Sequence, residues 1–544
     1  MPSTALAASA HVDSFARERL PTPALMPELL FELPELQFPP RLNCATELLD
    51  RHIAAGNGGR LCMQGAAVRW NYADFHAQAS RIAHVLVQQM GLVPGNRVLL
   101  RGVNSPMLAA CWFAVVKAGG IAVGSMPLLR ARELATIAQK AQISHVLCDA
   151  HLAEELTLAL PHCPTLLHIA HYGGAAHELE TRAAAQPDTF SNVDTAADDV
   201  CLMAFTSGTT GVPKGTMHNH RDVMAACACW PPHVLRPSAD DIFIGSPPLA
   251  FTFGLGGLLL FPLAVGASTV LVEKATPDTL PAAIEAFGAT VCFTAPTSYR
   301  AMAMAIIEGR CTYRLGTLRK CVSAGEALPA ATRALWQQAA GLTLIDGIGS
   351  TELLHIFISA DEATARPGAT GVPVPGYRAT ILDAQGRELP PGQVGRLAVK
   401  GPTGCKYLDD PRQASYVHDG WNLTGDAYLV DADGQFVYQA RTDDMIISGG
   451  YNIAGPEVEA ALLLHPAVAE CGVVGAPDDA RGMVVKAFVV LKPAFDADDA
   501  MARALQDFVK QTIAPYKYPR EIAFRTALPR TETGKLQRFR LKEA

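Results

Sequence analysis

The chain has 544 residues, 52 of them acidic and 45 basic, for a formal net charge of −7 with no long basic run, which argues against nucleic acid or an anionic membrane as the main partner. With 49% hydrophobic and 18% charged residues it can bury a large core, and its length calls for two or more domains. The 13 cysteines form no Cys-x-x-Cys pair and read as reduced packing residues of a cytoplasmic protein, neither disulfides nor zinc ligands.

The N-terminus has neither the basic nor the apolar region of a signal peptide. Further along, apolar runs alternate with helical stretches: strand 97–101, helix 106–117, strand 121–125, helix 130–141 and strand 145–148. That alternation predicts α/β units around largely parallel sheets. A strand over 200–205 leads into Thr206-Ser207-Gly208-Thr209-Thr210-Gly211-Val212-Pro213-Lys214-Gly215, followed by a predicted helix over 221–230. Glycines let the backbone curl, hydroxyls and free N–H groups wrap phosphate oxygens, and Lys214 adds positive charge. The order Pro213-Lys214-Gly215 separates this loop from the Gly-x-x-x-x-Gly-Lys-Ser/Thr pattern.

Residues 242–272 carry no charge and are numerous enough to span a bilayer. Gly245, Pro247, Pro248, Gly254, Gly256, Gly257, Pro262 and Gly266 interrupt the run, so it predicts a buried helix over 255–263 and a buried strand over 267–272. Short strands at 378–382 and 395–399, separated by turns, predict a small antiparallel or barrel-like module. After Arg441 a second compact α/β segment is expected, with helix 457–464, strands 470–474 and 484–491, and helix 500–512.

Further motifs follow the Thr206 loop in order. They are Ser323-Ala324-Gly325-Glu326-Ala327, Asp346-Gly347-Ile348-Gly349-Ser350-Thr351-Glu352, Trp421-Asn422-Leu423-Thr424-Gly425-Asp426, Arg441-Thr442-Asp443-Asp444, Ser448-Gly449-Gly450-Tyr451-Asn452 and Thr531-Glu532-Thr533-Gly534-Lys535. From about Pro40 onward the chain resembles the adenylate-forming superfamily of acyl- and aryl-CoA ligases, adenylation domains and luciferases. The resemblance implies an α/β fold: a large N-terminal domain, 1–442, of two α/β subdomains and a small β-barrel, then a mobile α/β lid, 443–544, hinged at Asp443.

The resemblance also implies ATP, Mg2+ and coenzyme A. Thr206, Ser207, Gly208, Thr209, Thr210 and Lys214 would take the phosphates, with Gly325 and Glu326 on the adenine side. Asp346, beside Gly347, would accept from the adenine amino group, Thr351 would touch the α-phosphate, and Glu352 would hold Mg2+. Asp426 would take the ribose hydroxyls with help from Arg441, and Ser448, Gly449 and Gly450 would approach the thiol arm. Lys535 would aim its ammonium at the carboxylate and α-phosphate during adenylation. Ile348 stands where the family commonly has tyrosine, so adenine stacking there is weaker or different.

Phe251-Thr252-Phe253 and Gly349 with His355-Ile356 resemble the acyl pocket of benzoate-CoA and 2-aminobenzoate-CoA ligases. An aromatic acid sandwiched by Phe251 and Phe253, with His355 facing its polar atoms, is the expected substrate. The alternatives are a stand-alone enzyme loading a carrier protein, a ligase for other small or medium-chain acids, and a non-catalytic nucleotide binder. The presence of Lys535 and Glu352 weighs against the last. A homodimer is left open.

Overall fold

Two sheets with parallel centres dominate the computed structural model, which describes residues 7–206, 213–442, 444–448, 451–478, 482–530 and 536–543. The first has six strands in the order His168–Tyr172, His145–Asp149, Arg97–Arg101, Ile121–Ser125, Val200–Thr206 and Lys214–Asn219. Its first five strands are parallel, and the four inner ones are nearly all buried, because helices such as Pro106–Lys117 and Ala131–Ala141 cover its faces. The buried Arg101 guanidinium bonds the carbonyls of Met126, Pro127, Leu129 and Leu152, fixing the loop after Ile121–Ser125.

The second sheet has nine strands, with Lys320–Ala324 and Leu344–Gly349 parallel within it and the hairpin partner Ile356–Ser359 antiparallel to Leu344–Gly349. One continuous core joins the two sheets and includes Leu100, Trp112, Trp230, Phe243, Phe261, Phe293 and Phe357. The uncharged run is buried between them as strand Ile242–Gly245, helical turns Thr252–Leu255, Gly256–Leu260 and Phe261–Val265, and strand Ser268–Val270. Among the described residues no helix is long and apolar enough to cross a membrane.

A five-stranded antiparallel sheet follows, built from Arg378–Leu382, Gly395–Lys400, Val417–His418, Trp421–Val430 and Phe436–Arg441, where the sequence predicts the barrel-like module. The C-terminal segment has its own sheet, with the long hairpin Val468–Asp478 and Gly482–Leu491. It also has its own core, including Val458, Leu462, Val485, Val489 and Leu505.

After the Thr206 loop, Lys214–Asn219 is a strand antiparallel to Val200–Thr206, with Thr206 opposite Lys214, and the helix expected over 221–230 is observed as His220–Trp230. Five of the strand's six residues are buried, which hides the alternation that would mark it in sequence. The helix starts at His220, capped by Asn219, whose side chain accepts from the Asp222 amide. Thr206 and Lys214, the residues paired at the end of this antiparallel ladder, stand on either side of residues 207–212 in sequence.

Candidate active site

Of the residues singled out in the sequence, Ser207, Gly208, Thr209, Thr210, Asp443, Gly449, Gly450 and Lys535 lie outside the described residues. The others, apart from Ser448 in the C-terminal sheet, gather where the two large sheets and the five-stranded sheet meet.

Lys214 opens the second hairpin strand and donates to the Tyr407 hydroxyl at 2.9 Å. Its ammonium is 3.5 Å from Glu352 Oε1, and the Tyr407 hydroxyl donates to that same oxygen. Burial, then the Glu352 charge, raises the Tyr407 pKa well above that of a free phenol, so Tyr407 acts here as a fixed donor. Among the described residues no hydrogen bond goes to Glu352 Oε2. A buried carboxylate with one oxygen uncommitted, beside a cation and a phosphate-loop strand, suits a hard divalent ion shared with a substrate phosphate.

The turn bearing Thr351 and Glu352 is tied to the same hairpin: His218 Nε2 donates to the Thr351 carbonyl at 2.8 Å. Behind it Asp222 pairs with Lys406. Burial pushes the Asp222 carboxyl up, but Lys406 and His218 together hold it below its ordinary range. His218 and Tyr407 were not legible as site residues. Their partners lie 133 and 55 residues away, and neither belongs to a spaced motif.

Asp346 lies in strand Leu344–Gly349, beside the Ser323–Ala324 end of the neighbouring strand. Burial pushes its carboxyl up to about 7, against the pull of Arg333 and the Gly347 amide. A donor such as an exocyclic amino group would relieve the burial of that carboxylate. Gly325, at φ +94°, turns the chain away from its strand so that Glu326 follows at the rim.

Asp426 and Arg441 face each other across antiparallel strands, with Arg441 Nη1 donating to Asp426 Oδ1 at 3.1 Å and to the Thr424 carbonyl at 3.0 Å. Burial raises the Asp426 carboxyl, and Arg441 opposes it. Gly425 has φ +77°, and a Cβ there would stand 2.6 Å from Arg441 Nη2, so glycine is needed for both backbone and contact.

Two of the residues expected at the acyl pocket, Phe253 and His355, sit in a ring cage. His355 is buried against Phe261 (centroids 4.5 Å apart), Phe253 (5.7 Å) and Trp230 (5.7 Å). Among the described residues the Phe253 backbone is the polar group beside the imidazole, no well-formed hydrogen bond reaches either of its nitrogens, and Trp230 Nε1 has no partner. Burial lowers the His355 pKa to about 3, so the imidazole is neutral. The cage is tight at its glycines: a Cβ on Gly256 would meet the His355 ring at 2.4 Å, and one on Gly349 would meet the His355 carbonyl at 2.7 Å. Ile356 follows in its strand and is buried against Gly347. Phe253 packs on Phe293 and His355, whereas Phe251 and Thr252 line a separate apolar cavity with Trp112, Gly124 and Ala204. The two phenylalanines thus turn to different neighbours.

The C-terminal segment reaches this region. Arg530 lies 3.7 Å from Glu326 and 2.8 Å from Glu470, so it links the Glu326 loop to the C-terminal sheet. Ser448 is buried in strand Ile446–Ser448, and among the described residues its hydroxyl has no hydrogen-bond partner.

Comparison with known proteins gives a consistent result. The AMP-binding enzyme family matches residues 50–407, and the AMP-binding enzyme C-terminal domain matches 457–535. A benzoate–CoA ligase of Thauera aromatica is 35% identical over 518 residues, covering 94% of this chain and 98% of that protein. The crystal structure of the anthranilate CoA ligase AuaEII in complex with anthranoyl-AMP superposes with a TM-score of 0.89 at 34% identity, covering 94% of this chain and 98% of that one. A benzoate CoA ligase from Burkholderia xenovorans LB400 superposes with a TM-score of 0.83 at 31% identity, covering 92% and 100%.

Proposed function

The chain belongs to the AMP-binding enzyme family and is an AMP-forming acid–CoA ligase, and we propose that its acid is an aryl carboxylate of the benzoate or 2-aminobenzoate class. The observation that carries this reading is the ring cage around a neutral imidazole whose polar neighbour is the Phe253 backbone. Rings favour a flat aromatic guest. An uncharged His355 does not serve as counter-ion to the carboxylate, but it can exchange a hydrogen bond with an amino or hydroxyl substituent on the ring.

The reaction has two steps. The acid's carboxylate oxygen attacks the α-phosphorus of ATP and pyrophosphate leaves; the coenzyme A thiolate then attacks the acyl carbon and AMP leaves. Asp346 holds the adenine amino group, Asp426 with Arg441 the ribose, and the Thr206–Lys214 hairpin the phosphates, which places the α-phosphate beside Thr351. Glu352 would hold Mg2+, which supplies charge neutralisation at the phosphates. Tyr407 and Lys214 keep the Glu352 carboxylate oriented, and His218 fixes the Thr351 backbone.

In this reading residues 1–442 form the nucleotide-binding domain and 443–544 a lid hinged at Asp443. The Arg530–Glu326 contact brings the C-terminal segment against the loop assigned to the adenine side, which supports an adenylation orientation of the lid. Rotation about Asp443 would then bring Ser448, Gly449 and Gly450 to the thiol arm.

The test is AMP release with coenzyme A across benzoate, aminobenzoates, hydroxybenzoates, phenylacetate, hexanoate and longer fatty acids. Benzoates are expected to give the highest kcat/KM; a preference for long chains overturns the assignment.

A further inference from the structure

Cys44, Cys201 and His220 come from three separate parts of the chain, yet their two sulfurs and an imidazole nitrogen all lie within 4.8 Å of one another. All three side chains are buried, both cysteines completely. Cys44 Sγ is 3.3 Å from His220 Nδ1, which also accepts from the Cys44 amide at 3.1 Å. Ligand distances of about 2.3 Å for sulfur and about 2.0 Å for nitrogen around a tetrahedral zinc ion put neighbouring ligands about 3.5–3.8 Å apart. To close on such an ion the three ligand atoms would draw together, and His220 Nδ1 would exchange the Cys44 amide hydrogen bond for the metal.

We propose that Cys44, Cys201 and His220 form a binding site for a single thiophilic divalent cation, Zn2+, outside the catalytic centre. Ligation releases one proton from each thiol, so two thiolates, a neutral imidazole and Zn2+ make an electrically neutral unit. That neutrality suits a fully buried site, where a monovalent ion with two thiolates would leave a buried negative charge.

The site has a structural consequence. Cys201 belongs to Val200–Thr206, and His220 directly follows Lys214–Asn219, so both stand at the end of this strand pair opposite Thr206 and Lys214. Cys44 lies in the N-terminal segment that pairs with Thr195 through Leu42. The ion would staple that segment to this end of the strand pair.

The experiment uses the full-length protein produced in cobalt-supplemented minimal medium, because a buried site fills during folding. The wild type is expected to retain one Co2+ per chain and to show near-ultraviolet thiolate-to-cobalt charge-transfer bands. A folded Cys44→Ala/Cys201→Ala variant, checked by circular dichroism, should retain none. Wild-type protein without cobalt, or the same bands in the variant, overturns the proposal. If the variant does not fold, anomalous diffraction at the zinc edge from wild-type crystals grown with Zn2+ decides: a peak among Cys44, Cys201 and His220 supports the site, and a peak elsewhere or no peak overturns it.

Discussion

Adenosine should bind this enzyme more tightly as pH rises from 6 to 8, and Asp346 should be the main reason. Its carboxyl is buried and pushed up to about 7. At pH 6 about one-tenth of it is ionised and at pH 8 about nine-tenths. If the charged acceptor binds the adenine amino group about tenfold better than the neutral one, affinity should rise about fivefold; if only the charged form binds, about tenfold. Adenosine is the right probe because, unlike AMP, it carries no phosphate that titrates in this range. Isothermal titration calorimetry from pH 6 to 8 reads the slope. At pH 7, repeating it in buffers of different ionisation enthalpy should show release of up to about half a proton. Asp346→Asn should weaken binding at pH 8 and flatten the profile, leaving any slope that comes from Asp426, whose carboxyl burial also raises. The same shift has a definite sign for folding: the raised native pKa means the ligand-free protein loses stability as pH climbs from about 4 to about 7. A wild-type affinity that does not change between pH 6 and 8, or an Asp346→Asn variant with the full wild-type slope, refutes the assignment of Asp346 to the adenine.

Three further outcomes are expected. Tyr407→Phe removes the hydroxyl that donates to Glu352 and accepts from Lys214, a loss of about 1.5–3 kcal/mol for charge-assisted bonds, so kcat/KM for ATP should fall about 10- to 100-fold, with more Mg2+ needed for half-maximal rate; unchanged Mg2+ dependence counts against the Glu352 role. His355→Phe keeps the cage apolar but removes its polar atoms, so the ratio of kcat/KM for 2-aminobenzoate over benzoate should fall about tenfold, and an unchanged ratio removes His355 from substituent recognition. Lys535→Ala should abolish acyl-AMP formation while still converting presynthesised acyl-AMP and coenzyme A to thioester, and Gly449→Leu should do the reverse; equal damage to both half-reactions by both variants refutes the alternating lid.

The amino-acid sequence alone determined the α/β class, the strand and helix rhythm from Arg97 to Asp149, and the order of the nucleotide motifs. Each is written in a contiguous stretch: a buried parallel strand is a short apolar run, and a loop that wraps phosphate needs glycine, hydroxyl and lysine side by side. Adjacency in sequence says little about where buried side chains turn once two sheets and a hairpin close on them. That is why Phe251 and Phe253, two residues apart, face different neighbours. It is also why Tyr407 could not be foreseen beside Glu352, or His218 beneath Thr351. The cysteines show the same limit. Without a Cys-x-x-Cys spacing they read as packing residues, and eleven of the thirteen are buried. Only the closure of the N-terminal segment over the end of the strand pair Val200–Thr206 and Lys214–Asn219 brings Cys44, Cys201 and His220 within 4.8 Å. Ligand geometry is a three-dimensional condition, and when its members are scattered along the chain it is met only through tertiary packing.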